Sequence, residues 1–149
     1  MKKNNKGFSL VELIIVIAIM AILAGALAPA LIKYIAKSRR STDVSNAQTI
    51  ATAVTNALSV EGAYDDVATN SSLAIATTGG AAQLSADAGA SFASEVSSQL
   101  GTSAFKPKYE KNGKFFITVN DDKSTFVVGI SGGANGDVVL YPDVDPSYK

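Results

Sequence analysis

Glu12 is the residue whose surroundings demand a chemical explanation. It is the one charge among the 25 residues from Phe8 to Ile32, and it follows a Lys-rich start and a Gly7-Phe8 junction. A carboxylate at a bilayer centre costs about 2.5–3.5 kcal/mol on insertion scales, so it needs a partner or a hydrated place near the interface. No Lys, Arg or His lies inside the run. Cleavage before Phe8 would create a cation, because an α-amine with a pKa of about 7.7–8.0 is mostly charged at neutral pH. That amine could meet Glu12 of its own chain or of a neighbouring helix. A pair between helices would hold subunits in register, since a misplaced subunit leaves one charge unpaired among apolar side chains.

Elsewhere the chemistry is sparse. Asp121-Asp122 and the pair Asp143 and Asp145 could offer oxygens to calcium, but without EF-hand spacing they read as solvated turn acids. Gly132-Gly133-Ala134-Asn135-Gly136 is glycine-rich, yet it joins two strand-like segments and lacks a Walker lysine, so it reads as a turn. Serines are abundant, but the chain has no His and no Cys. The familiar nucleophile–base pairs therefore cannot be assembled, and no disulfide can staple the fold. The residues point away from an enzyme, and neither a cofactor nor a metal is expected.

The element that must position Glu12 is a helix. Phe8 to Ile32 would extend about 37 Å at 1.5 Å per residue, enough to cross a hydrocarbon core of about 30 Å with some tilt. Lys33, Lys37, Arg39 and Arg40 end the span and can reach headgroups or water along their apolar stems. Gly25 and Pro29 weaken the helix, and Pro29 removes one i−4 hydrogen bond. Net charge is zero, with 13 basic and 13 acidic residues. From Ser41 onward there are six basic and twelve acidic, which argues against nonspecific nucleic-acid binding by that part. A secretory signal with a cut after Ala26-Leu27-Ala28 is the competing reading, but the apolar run is too long for one and Pro29 follows directly at the cut.

Lys6-Gly7-Phe8-Ser9-Leu10-Val11-Glu12 and the apolar run after it resemble the processing site of type IV prepilins, with the close match covering about residues 1–40. The resemblance implies that a prepilin peptidase cuts between Gly7 and Phe8 and methylates the Phe8 nitrogen. It also implies that Glu12 docks each subunit through a neighbour's amino terminus, and that Pro29 sits at the family's helix kink. The expected organisation is a leader, 1–7, a transmembrane and filament-core helix, 8–32, and a globular head, 33–149. The implied partners are the peptidase, a pilus assembly platform in the membrane, minor pilins and further copies of the chain in a helical filament. The precursor would sit in the cytoplasmic membrane with its N-terminus inside, and the filament on the cell surface. The missing cysteines set the chain apart from relatives that close a C-terminal loop with a disulfide, and resemble clostridial-type pilins. Type II secretion pseudopilins and minor pilins share the motif. A binding module tethered singly to the membrane is the reading of another class.

The fold class expected is α+β, a long helix packed against a small antiparallel sheet. Val44, Ala47, Ala51, Val54 and Leu58 are spaced 3, 4, 3, 4, so the helix continues with an apolar stripe until Glu61-Gly62 stops it. Residues 63–82 read as an exposed loop. Leu84, Ala88, Phe92, Val96 and Leu100 recur every fourth residue, which predicts a helix best supported over 91–100 with Gly101 as its cap. Strands are predicted at 114–120, 124–131 and 137–141, with 105–110 as an edge strand broken by Pro107 and Asn112-Gly113 as a hairpin turn. The segment from Tyr141 to Pro146 closes the chain as a tail packed on the sheet.

Overall fold

The computed structural model describes residues 8–78, 81–101, 105–133 and 136–148. The leader with Gly7, Gly79-Gly80 and Ala134-Asn135 lie outside them. The chain divides into two units, Met1–Lys37 and Ser38–Lys149. Helix α1, Leu10–Leu58, contributes to both.

In the first unit every residue from Phe8 to Ile35 is exposed. Among the described residues this is the one helix apolar and long enough to cross a membrane by length and composition. Pro29 lies within α1 and does not end it.

The second unit is built on the remainder of α1. Asp43, Ala47, Ile50, Val54 and Ala57 are buried at spacings of 4, 3, 4 and 3, one stripe of a 3.6-residue period. Four alanines in and beside that stripe, Ala47, Ala51, Ala53 and Ala57, are buried with it. The opposite face carries hydroxyls. Those of Thr42, Thr49, Thr52, Thr55 and Ser59 each donate to the carbonyl four residues earlier, at 2.9–3.1 Å.

The five-stranded antiparallel sheet has the order β2-β1-β3-β4-β5. Its strands are β1 (Leu73–Thr78), β2 (Ala81–Leu84), β3 (Lys114–Val119), β4 (Phe126–Gly133) and β5 (Gly136–Tyr141). In β3, Phe115, Ile117 and Val119 alternate onto one face and join the Ile50–Val54 stripe, Phe92, Val96, Ile130 and Leu140 in a single apolar cluster. Helix α3, Ala90–Leu100, presents Phe92, Val96 and Leu100 to that core. Gly101 caps it with φ 61°, its N–H donating to Ser97.

Four expectations are corrected. α1 ends at Leu58, because Ser59 and Val60 donate to Asn56 and Ala57 three residues back and Val60 turns extended. Glu61-Gly62 then opens a short helix, α2 (Glu61–Asp66), instead of stopping the long one. The supposed loop 63–82 holds the rest of α2, strand β1 and the start of β2, because Leu73 and Ile75 alternate into the core and β1 pairs with β3 through Leu73–Ile117 and Ala74–Phe116. Leu84 belongs to β2 and Ala88 to a 3-10 turn, so the every-fourth pattern is helical only after Gly89. Residues 105–110 form no strand; their backbone is bound by a side chain of α1, described next.

Candidate functional site

Ser9 precedes α1, and its N–H donates to Glu12 Oε2 at 2.8 Å. This is one half of a capping box, Ser-x-x-Glu, in which the acid at the third helical position reaches back to the cap residue's amide. The carboxylate thus lies over the first turn, where unpaired N–H groups and the helix dipole favour negative charge. Glu12 therefore has a partner within its own chain, a neutral amide donor. The spacing Ser9-Leu10-Val11-Glu12 carries that signal in the sequence. Phe8, just before it, is 82% exposed. Phe8, Glu12 and Pro29 all lie in the first unit, Pro29 far along α1 from the other two.

A second polar constellation, in the head, was not foreseen. Asp43 is fully buried and its carboxylate accepts three hydrogen bonds. The N–H of Lys108 donates at 2.6 Å, that of Tyr109 at 2.9 Å, and the Tyr148 hydroxyl at 2.6 Å. Arg40, one helical turn earlier, donates through Nη2 to the Tyr109 hydroxyl at 2.6 Å. The Tyr109 and Tyr148 rings meet edge-to-face at 5.6 Å. Burial, then the hydrogen bond to Asp43 and its charge, push the Tyr148 hydroxyl well above its ordinary pKa of 10.0. The arrangement binds three distant pieces of chain: α1, the segment after Phe105, and the C-terminal turn. The tail is tied to β5 as well, through the Asp145 N–H and the Val139 carbonyl at 3.0 Å. Its deepest anchor is nevertheless the helix. Partners 65 and 105 residues apart leave no local sequence signal.

The turn acids are occupied locally. Asp122 accepts from the hydroxyl and N–H of Ser124 at 2.6 and 3.1 Å, and Asp145 from those of Ser147 at 2.6 and 2.8 Å. The serine hydroxyl first, and then its N–H, hold each carboxyl below the usual aspartate value. These are Asx-type turns that fix backbone.

A family model described as the prokaryotic N-terminal methylation motif matches residues 2–28. The type IV major pilin protein PilA of Myxococcus xanthus (strain DK1622) is 40% identical over 65 residues, which cover 44% of this chain and 30% of that protein. The chain thus spans under a third of the length of the curated relative it matches. No solved structure matches it. The motif, the relative and the fold, a long N-terminal apolar helix with a small antiparallel sheet, support a type IV pilin.

Proposed function

We propose that the chain is a structural subunit of a type IV pilus, a major pilin. The precursor spans the cytoplasmic membrane once with its N-terminus inside. It is cut between Gly7 and Phe8, methylated on the Phe8 nitrogen, and passed to a membrane assembly platform that adds subunits, with minor pilins, to a surface filament. That filament serves adhesion, motility or aggregation. The observation that carries the reading is the apolar run from Phe8 to Ile32, helical from Leu10, exposed on the isolated chain and interrupted by one carboxylate near its start. Monomeric soluble proteins rarely leave an apolar surface of that extent uncovered; lipid covers it in the precursor, and bundled helices cover it in the filament. During assembly Glu12 exchanges its bond to the neutral Ser9 amide for an ion pair with the amine of a neighbouring subunit, which adds the attraction of opposite charges.

The test is intact mass and N-terminal sequencing of material sheared from cells. N-methylated Phe8 at the start of a sedimentable protein is the expected result. A chain beginning at Met1, or cut after Ala28, would overturn the reading. The right processing on material present only in traces would move it to a minor pilin or a secretion pseudopilin.

A further inference from the structure

We infer that the head is an electric dipole along α1, and that the basic end of one copy docks on the acidic end of another. This rests on the subunit reading above. Arg39 and Thr42 of α1 line a groove of about 500 Å³ with Lys106, Lys108 and Lys111. Lys106, Lys111 and Lys114 border a second hollow of about 350 Å³. All five cations are exposed. The segment bearing the lysines is held to α1 by the bonds from Lys108 and Tyr109 to Asp43. The acids that accompany it, Asp43 and Glu110, are buried. Asp137 is exposed at the start of β5, and Asp143 is exposed in the tail that Tyr148 ties to Asp43.

The other end carries the opposite sign. α2, with Glu61, Asp65 and Asp66, follows the last turn of α1. The β3–β4 turn bearing Asp121 and Asp122 is held against it, because Lys123 Nζ donates to the carbonyls of Tyr64 and Asp65 at 2.7 and 3.1 Å. Asp87 stands in the 3-10 turn before α3, tied back through the Ala68 N–H and the Ala88 carbonyl. All six carboxylates are exposed, with Lys123 half-buried among them. The C-terminal, negative pole of α1 adds to this end, and no basic residue in its last turn offsets it. Arg39 and Leu58 are about 28 Å apart along the helix.

The occupant that fits both ends is a second copy of this chain. Five exposed cations at one end face six exposed carboxylates at the other, so each end supplies what its opposite lacks. Joining two different patches is a heterologous contact, which builds an open helical array when the rotation does not close. A polyanion would use the basic end alone, against a head, Ser38–Lys149, that carries twelve acids and eight bases. Exposed charges are screened beyond about 8 Å at physiological salt, so the ends must touch, and added salt should loosen them.

The test uses the full chain in a filament-forming host. One variant carries Lys106→Glu, Lys108→Glu and Lys111→Glu; a second carries Glu61→Lys and Asp65→Lys; a third combines them. Filament recovered by shearing is compared with precursor in the membrane, and protease resistance of the precursor reports folding. Each single set should reduce filament about tenfold or more, the loss that a contact weaker by about 1.4 kcal/mol gives. The combined set should restore most of it. Normal filament from either single set, or no rescue in a folded combined set, overturns the docking. So does normal assembly coupled to lost pelleting with phosphatidylglycerol vesicles or DNA, which would assign the basic end to a polyanion. Absence of filaments from the unaltered chain would instead overturn the subunit reading itself.

Discussion

Asp43 shows how one buried carboxylate can stand in for a covalent tie. Its three donors come from a loop and from the last turn of the chain, so removing it strands the buried Tyr148 hydroxyl and takes the acceptor from two part-buried amides. Each unsatisfied buried donor costs about 1–3 kcal/mol. Asp43→Ala should therefore lower the unfolding free energy of the detergent-solubilised chain by about 2–3 kcal/mol, read from tyrosine fluorescence in urea, since the chain has no tryptophan. Tyr148→Phe should cost about 1.5–3 kcal/mol, as a hydrogen bond to a charged group does. Its pH dependence identifies the contact. The folded state holds Tyr148 neutral and raises its pKa, so the stabilisation is whole below the unfolded value of about 10 and declines as pH rises above it. The gap between unaltered and Tyr148→Phe chains should narrow above pH 10. A constant gap would mean that packing, not the hydroxyl, is what is lost. Glu12 invites a similar separation. Glu12→Gln keeps an oxygen to accept from Ser9 but removes the charge, whereas Glu12→Ala removes both. If charge pairing drives assembly, both should abolish sedimentable filament while the precursor persists in the membrane; filament from Glu12→Gln alone would reduce Glu12 to a helix cap.

At the scale of elements, the join between α2 and α3 is the tightest. Gly89 has φ 94°, and a Cβ there would lie 2.1 Å from the Asp66 carbonyl oxygen. Asp66 also caps α3 from outside, its carboxylate accepting from the Ser91 N–H at 2.7 Å. Gly89→Ala should thus cost more than the roughly 0.5–2 kcal/mol expected for loss of the cap in Asp66→Ala. Hydrogen exchange should quicken across 90–100 in both, and an unchanged α3 would show that the helix is held by Phe92 and Val96 alone. The sequence made some of these elements plain and concealed others. α1, the latter half of the every-fourth pattern, Gly101 and the three strands after residue 113 carry strong periodicity or turn chemistry. β1 and β2 do not: their Ala and Thr content resembles a loop, and Leu73, Ile75 and Leu84 are the larger apolar residues that betray an inward face. β1 pairs with β3, some forty residues on, and β2 pairs with β1 at the sheet edge. The stretch 105–110 looked like an edge strand because Phe and Tyr favour strands, but Asp43 takes two of its amides. The N-terminal site was legible because its residues are adjacent. The Asp43 cluster was not, because folding alone brings its members together.

At the scale of the molecule, the two units set different demands on assembly. The first has no use for its apolar surface as a monomer in water, so on the proposed reading it passes from lipid to a helix bundle without a soluble stage. The second carries the charge that can order one copy on the next. A high-salt wash of sheared filaments should separate these contributions: contacts between heads should weaken as salt rises through the screening range, while apolar packing of the helices should not. Filaments that fragment readily in salt when Lys106, Lys108 and Lys111 are intact, and no further when they are reversed, would locate the salt-sensitive contact at that end.

The hydroxyl-bearing face of α1 has a consequence for hydration. Burying a polar group costs free energy chiefly when it loses a partner. Thr42, Thr49, Thr52, Thr55 and Ser59 have each turned their proton onto the helix's own backbone, a local bond that does not depend on solvent. Water can therefore leave these five hydroxyls without orphaning their protons. On the proposed reading, hydroxyls that stay soluble when wet and lose little when dried suit a subunit that sits first beside water and then beside another copy of itself.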